Sequence, residues 1–155
     1  MRDLDRIDMK ILDILQREGR LSITDLAGRV NLSTTPCTER VRRMEREGVI
    51  TGYHARVNPR ALGLPLLVFV EIKLSAKSDE IFRNIKQQLQ SFAEVLECHL
   101  VSGEFDYLIK ARISEMSEYR HLLGALLKKF PAQAESRSYV VMEEIKETLQ
   151  LPLPL

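Results

Sequence analysis

The alternation of hydrophobic and polar residues predicts three short helices in the first fifty positions. The first is expected to start at a capping residue, Asp3, and to end at Gly19. The second starts at Ser22, with Asp25 three residues later in the manner of a capping box. Both follow the 3.6-residue period of an amphipathic helix. Their inward residues are Leu4, Ile7, Ile11, Leu12 and Leu15, then Ile23, Leu26, Ala27 and Val30.

A tight turn over residues 30–33 separates the second helix from a third. Asn31 tolerates the left-handed backbone conformation better than other non-glycine residues, which suits a turn between two steeply crossed helices. Ser33 is predicted to cap the third helix, which runs from residue 34 to about residue 47 and is closed by Gly48. Pro36 lies in the first turn, where it breaks no helical bond but restricts the bonds open to the cap. The pattern predicts a helix-turn-helix.

The third helix pairs an apolar face with a polar face suited to DNA. Cys37, Val41 and Met44 have the spacing of core residues. The opposite side combines short hydroxyl side chains near its start with arginines further along, and such side chains contact base edges and phosphates in the major groove. The predicted DNA-contacting residues are Ser33, Thr34, Thr35, Thr38, Glu39, Arg40, Arg42, Arg43 and Arg46. A helical packing module with merely solvated arginines is the alternative.

The segment after Gly48 has a different character. Residues 49–57 are rich in β-branched and aromatic residues around a bend at Gly52, which predicts a strand pair, or wing. Proline and glycine at positions 58–65 then interrupt both helix and strand. We therefore expect a DNA-binding domain over residues 1–60 and a second domain over residues 61–155.

The second domain shows the element order β-α-β-β-α-β. This order is typical of the ferredoxin-like sandwich, so the predicted fold class is α+β, an N-terminal winged helix-turn-helix plus a C-terminal ferredoxin-like sandwich. The predicted strands cover residues 66–74, 95–101, 107–113 and 136–143, and the helices residues 79–92 and 115–130. The closing Leu-Pro repeat, residues 151–155, cannot extend the interior of a sheet.

Right-handed crossovers place both helices on one face of this sheet. Phe69, Leu100, Tyr139 and Val141 are more apolar side chains than one covered face can absorb. We therefore expect the other face to pack on a second subunit, giving a homodimer.

The turn from Val101 to Asp106 is a candidate binding site. Gly103 lets backbone N–H groups approach a carboxylate, and either Glu104 or Asp106 could hold an ammonium group. Those two features suit a free amino acid. An ordinary hairpin turn explains the same residues equally well, because glycine and aspartate are common in turns. The whole candidate segment is Val101, Ser102, Gly103, Glu104, Phe105 and Asp106.

Composition narrows the function classes. The chain is 45% hydrophobic and 29% charged, with no apolar run long enough for a membrane span, so we expect a cytoplasmic protein without a membrane partner. Cys37 and Cys98 show no metal-binding spacing and are expected to be free thiols. The three histidines lack nucleophile partners, and no phosphate-binding glycine loop occurs. We therefore expect no catalytic site, no metal and no cofactor.

Several segments resemble one family over nearly the whole chain, the leucine-responsive regulatory protein / AsnC family of bacterial and archaeal feast/famine regulators. The similarity is nearer to the leucine-responsive branch than to the asparagine branch. The matching segments are residues 4–8, 36–45, 52–53, 67–71, 97–107 and 139–144.

The resemblance implies a transcriptional regulator that binds double-stranded DNA, associates with the nucleoid of a prokaryotic cell and responds to a free amino acid. It implies dimers built on back-to-back sheets and gathered into octamers, with the effector bound between dimers. Asp106, Met116, Tyr139 and Val140 stand at the matching effector-binding positions. We expect leucine or methionine as the effector. Two alternatives stay open: a DNA-compacting architectural protein that ignores ligands, and a stand-alone amino-acid-sensing module.

Overall fold

The computed structural model describes residues 4–131 and 133–154, which form two compact units. A helical unit comprises the described residues up to Arg56 together with those from Lys146 onward, and a sheet unit spans Val57–Ile145. The elements are α1 (Arg6–Arg17), α2 (Ile23–Arg29), α3 (Thr34–Arg46), a 3-10 turn (Arg60–Leu62), β1 (Leu66–Lys73), α4 (Asp79–Leu89), β2 (Val95–Leu100), β3 (Tyr107–Ile113), α5 (Met116–Leu127) and β4 (Glu135–Val140). Within the described residues, no helix is long and apolar enough to cross a bilayer.

Helix α1 begins later than the sequence pattern suggested. Its cap is Asp5, whose Oδ1 accepts the Asp8 amide at 2.9 Å while Asp8 Oδ2 accepts the Asp5 amide at 3.1 Å. This reciprocal pair satisfies two free helix donors at once, a strong reason to start the helix here. The predicted cap, Asp3, lies outside the described residues. The helix ends at Arg17, and Gly19 does not adopt a positive φ there.

The turn between α2 and α3 matches its prediction. Asn31 is left-handed at φ 55°, and Ser22 caps α2 by accepting the Asp25 amide at 3.1 Å. Ser33 is the N-cap of α3, as predicted, but its side chain makes no capping bond, and Pro36 in the first turn has no N–H to offer it. Gly48 closes the unit's third helix at φ 71°, where a side chain would be strained. The helix-turn-helix is confirmed.

One core holds the three helices together. Of the twelve apolar residues predicted to face inward in the three helices, seven are buried and the other five are partly buried against them. The buried apolar residues are Ile11, Leu26, Ala27, Val30, Cys37, Val41 and Met44.

The strand pair predicted over residues 49–57 is wrong, because these residues form no strand. A side-chain hydrogen bond, rather than strand pairing, attaches them to α3: the Tyr53 hydroxyl donates to Glu45 Oε1 at 3.0 Å. Burial, followed by that carboxylate, raises the pKa of Tyr53 to about 12. The segment is thus tied to α3 without pairing with itself.

The C-terminal segment also belongs to the helical unit. The Gln16 side chain of α1 donates to the Leu151 carbonyl at 3.2 Å and accepts the Leu151 amide at 2.6 Å. Glu147 lies 3.5 Å from the Arg56 guanidinium. Over its described residues 151–154, the Leu-Pro repeat pairs with no strand. Instead, the side-chain amide of Gln16 satisfies both the N–H and the carbonyl of Leu151.

The sheet unit is a four-stranded antiparallel sheet in the order β2-β3-β1-β4. Helices α4 and α5 pack on the same face, as the rule for crossovers requires, and the ferredoxin-like order is confirmed. Aliphatic and aromatic side chains form the core between sheet and helices. Its fully buried strand residues are Val68, Val70, Ile72, Ile109, Ala111 and Ile113.

Strand β2 departs from the predicted alternation. A register shift between Val95 and Glu97 inserts one extra residue, after which Leu100 pairs with the core residue Tyr107. Because side chains alternate along a strand, a one-residue bulge moves every later side chain to the opposite face. Leu100 therefore lies on the helix side, and its placement on the open face was wrong.

The open face is more polar than expected. Phe69 stands between Tyr139 and Lys110 in the register of neighbouring strands, and the Tyr139 hydroxyl donates to Glu71 at 3.2 Å. Lys110 pairs with Glu97 at 3.0 Å. Leu67 and Leu108 share this face with the two aromatic residues, so apolar and charged side chains alternate across it.

Candidate functional site

Helix α3 carries an exposed stripe of four residues. Thr35, Glu39, Arg42 and Arg46 are all exposed and follow one another at spacings of four, three and four. Such spacing keeps them on one side of the helix over about 17 Å, while Cys37, Val41 and Met44 are buried on the other side. This stripe presents a hydroxyl, a carboxylate and two guanidinium groups to the surroundings.

Three further candidates lie near the start of α3. Ser33 and Thr34 are exposed, and the Ser33 hydroxyl makes no capping bond. Thr38 is half-buried, and its hydroxyl donates to the Thr34 carbonyl at 2.8 Å, which leaves its oxygen free to accept a bond. The helix start therefore combines free backbone N–H groups with hydroxyls, the arrangement that binds phosphate oxygens.

Arg40 and Arg43 are engaged inside the protein. Arg40 reaches Asp5 at 2.6 Å and Asp8 at 2.9 Å, and Arg43 reaches the other oxygen of Asp8 at 2.5 Å. Asp8 is only 1% exposed. The two carboxylates balance the two guanidinium groups, so this cluster adds little positive field. It joins α1 to α3, and of the four clustered arginines only Arg42 and Arg46 have no ion pair among the described residues.

The loop from Val101 to Asp106 is closed by backbone bonds. The Val101 amide donates to the Asp106 carbonyl at 2.9 Å, and the Asp106 amide donates to Ile72 at 2.9 Å. Gly103, at φ 152°, has open space where a Cβ would stand. Ser102, Gly103 and Glu104 are exposed, so the tip of the loop faces solvent, with Phe105 half-buried behind it.

The Asp106 side chain is 7% exposed, and each of its carboxylate oxygens has a partner. Its Oδ2 accepts the Leu74 amide at 2.8 Å, and its Oδ1 lies 2.6 Å from the Lys77 ammonium. Burial alone would raise the pKa of this carboxyl, but Lys77 and the Leu74 amide hold that pKa below its ordinary value. Asp106 is therefore an anion that already binds one ammonium group.

The remaining candidates lie at the other end of the sheet. The loop precedes β3, whereas Met116 begins α5 after β3 has ended, and seven strand residues span about 23 Å. Val140 pairs with Val68, which itself pairs with Ala111 towards that far end, and Tyr139 is next to it. All three are exposed. One chain therefore does not bring these residues together with the Gly103–Asp106 loop.

An apolar cavity of about 510 Å³ opens beside the loop, between α4 and β2. It is bordered by Leu100 and Tyr107, the strand residues that flank the loop. Its other apolar walls are Phe82, Leu89, Val95, Leu96 and Cys98.

The cysteines are free thiols in the structure, as expected. Burial raises the pKa of Cys98 to about 11, so about one molecule in a thousand carries the reactive thiolate at pH 8. We expect iodoacetamide at pH 8 to label Cys98 about a hundredfold more slowly in the folded protein than in urea, as measured by peptide mass spectrometry. Equal rates would contradict the described burial of this thiol.

Comparison with known proteins follows the same division of the chain. Residues 4–51 match the winged helix-turn-helix DNA-binding model, and residues 67–151 match the Lrp/AsnC ligand binding domain. The leucine-responsive regulatory protein of Haemophilus influenzae is 52% identical over 145 residues, covering 94% of this chain and 87% of that protein. The chain belongs to the Lrp/AsnC family of transcriptional regulators.

Solved structures of the family share this architecture. An AsnC family regulator from Agrobacterium tumefaciens superposes with a TM-score of 0.90 at 36% identity, covering 96% of both chains. A transcriptional regulator from Neisseria meningitidis, solved as a complex with L-methionine, superposes with a TM-score of 0.89 at 34% identity, covering 97% of both chains. This Lrp/AsnC chain is thus a DNA-binding transcriptional regulator that responds to an amino acid, with a helix-turn-helix that matches the winged DNA-binding model and with a ligand-binding domain.

Two residues with important contacts were missed by the sequence reasoning. Asp8 was assigned no role of its own, although an acidic residue three positions after Asp5 is the signal of a capping box. Lys77 gave no signal, because its partner is 29 positions away in a different loop.

Proposed function

We propose that this regulator reads DNA with the exposed stripe of α3 and binds an apolar amino acid at the Gly103–Asp106 loop. The observation that carries the first half is the exposure of Thr35, Glu39, Arg42 and Arg46 on one side of α3. Arginine recognises guanine, threonine contacts thymine methyls or phosphates, and glutamate accepts from cytosine. Ser33, Thr34 and Thr38 would bind the phosphates beside the groove.

The roles of Arg40 and Arg43 differ from those of the stripe in this proposal. Their contacts with Asp5 and Asp8 favour a structural role, in which they fix the angle at which α3 meets α1. If Arg40 and Arg43 contact phosphates, their charges are already balanced by the two carboxylates, so they would attract the phosphates only weakly. The base-reading arginines are therefore Arg42 and Arg46.

Asp106 is the proposed acceptor of the effector's ammonium group. Its buried carboxylate already attracts one ammonium, and the open backbone at Gly103 suits the effector's carboxylate. The apolar cavity beside the loop favours an apolar side chain, for which leucine and methionine are our candidates. The methionine complex of the Neisseria relative is consistent with this choice.

The proposed site needs more than one copy of the chain. Met116, Tyr139 and Val140 lie at the opposite end of the sheet from the loop within one chain, but all three are exposed and available to a second copy. We propose a dimer through the open sheet face around Phe69 and Tyr139, and an octamer in which effector sites form between dimers. The function is binding rather than catalysis, with the DNA of a prokaryotic cytoplasm as the partner.

Replacement of Asp106 by Asn tests the effector half. Asn keeps an oxygen for the Leu74 amide but removes the negative charge, and a charge-assisted bond contributes about 1.5–3 kcal/mol. We expect at least tenfold weaker binding of L-methionine and L-leucine in calorimetric titrations of the full chain. Asp13→Asn makes the same change at a carboxylate of α1, outside the loop, and this control should bind both amino acids as the unchanged chain does. Binding of none of the twenty amino acids would instead favour the ligand-independent architectural protein.

A further inference from the structure

The two oxygens of the Asp106 carboxylate have different kinds of partner. Oδ2 accepts a backbone N–H from Leu74, a bond fixed by the fold at the end of β1. Oδ1 faces Lys77, whose ammonium comes from a flexible four-carbon side chain. An ammonium group arriving from outside would approach Oδ1, because Oδ2 faces the Leu74 backbone and Oδ1 faces the exposed Lys77 ammonium. The Lys77 ammonium already occupies the position next to Oδ1.

Lys77 is easily displaced. Its side chain is 57% exposed, and it belongs to the irregular segment between β1 and α4 rather than to a helix or strand. Among the described residues, Asp106 is the only group with which it forms an ion pair. Because the Lys77 ammonium is exposed, another ammonium group can replace it at Oδ1, and the exchange leaves the buried carboxylate paired throughout.

We infer that Lys77 is a built-in competitor of the effector: its ammonium occupies the position proposed for the ammonium of the amino acid. This inference rests on the proposed role of Asp106. The effector binds only to the fraction of molecules in which Lys77 has moved away, and the apparent dissociation constant rises in proportion. Lys77 thus sets the amino-acid concentration at which the regulator responds.

The competition has a chemical signature. It acts only on ligands that carry an ammonium group, because only these need Oδ1 of Asp106. A ligand with the same apolar chain and carboxylate but no amino group, such as 4-methylpentanoate in place of leucine, should be insensitive to Lys77. If Lys77 instead held the effector's carboxylate, its removal would weaken both ligands.

The test compares calorimetric titrations of L-leucine, L-methionine and 4-methylpentanoate into the full chain and three variants. Lys77→Gln should bind both amino acids about two- to fivefold more tightly, the range expected for one partly exposed ion pair. Lys77→Arg keeps a cation and should restore the original affinity. Lys73→Gln removes a charge that also acts on Asp106 from a distance, and it should change affinity by less than Lys77→Gln.

The outcomes separate the two proposals. Equal or weaker amino-acid binding by Lys77→Gln, with normal binding by the unchanged chain, overturns the competitor and leaves the effector site standing. Amino-acid binding that survives Asp106→Asn, or that is absent from every variant, overturns the effector site and the competitor with it. Binding by Lys77→Gln alone would be the strongest form of the expected result.

Discussion

Asp8→Asn is expected to destabilise the helical unit by about 3 kcal/mol, the low end of the range for removing one partner of a buried ion pair. The substitution leaves Arg43 without its carboxylate and takes one of two carboxylates from Arg40. The Arg43 side chain is 22% exposed and the Arg40 side chain 26%, so water partly solvates both charges and the low end of the energy range applies. Asp8 also joins the reciprocal cap of α1, so the start of that helix weakens as well.

Hydrogen exchange of the full chain measures this effect in the unit concerned. At about 1.4 kcal/mol per factor of ten, amides of α1 and α3 that open with the unit should exchange about a hundredfold faster. Asp13→Asn is the control, because Asp13 is half-buried and pairs with the exposed Arg17 one helical turn away, and such pairs contribute about 0.3–0.5 kcal/mol. If amide protection against exchange in α1 and α3 is the same in the Asp8 variant as in the unchanged chain, the ion pairs of Asp8 with Arg40 and Arg43 do not stabilise the contact between the two helices.

Arg42→Ala should weaken binding to a specific duplex by about 1–3 kcal/mol and relax the base preference at one position. Arg42 is exposed in the middle of the α3 stripe, and no ion pair among the described residues competes for it. Its guanidinium can therefore meet guanine with both of its donor pairs free. The expected loss corresponds to about 5- to 150-fold in dissociation constant.

Fluorescence anisotropy with a duplex selected from a random library provides the measurement, at one fixed salt concentration. Lys10→Ala removes the same charge from the exposed side of α1 and should change affinity for all sequences alike. Thr38→Ala tests the neighbouring hydroxyl, which is half-buried and already donates to Thr34. If Arg42→Ala loses as much affinity for unrelated duplexes as for the specific duplex, as Lys10→Ala is expected to do, Arg42 contributes only its charge and reads no base.

Local patterns predicted most of the fold, because its helices and strands are amphipathic and the residues that cap the helices lie next to them in the sequence. Asn31, Ser22 and the apolar faces of α1 to α3 are all short-range signals. Two errors arose where tertiary contacts decide. The segment after Gly48 is anchored through Tyr53 rather than paired, and the β2 bulge sends Leu100 to the other face.

The candidate site divides in the same way. The exposed face of α3 follows from helical periodicity, so the stripe could be predicted from sequence. The occupation of Arg40 and Arg43 could not, because their partner Asp8 lies 32 and 35 positions away. Lys77 on Asp106 is likewise a contact between two loops, for which a sequence carries no periodic signal.

The central claim is that α3 enters the major groove, and dimethyl sulfate protection on the selected duplex tests it directly. This reagent attacks guanine N7 in the major groove and adenine N3 in the minor groove. The full chain should protect guanine N7 positions within each bound half-site, and Arg42→Ala should lose that protection at one guanine. Protection confined to adenine N3, or guanine protection identical in both proteins, would contradict the proposed reading face.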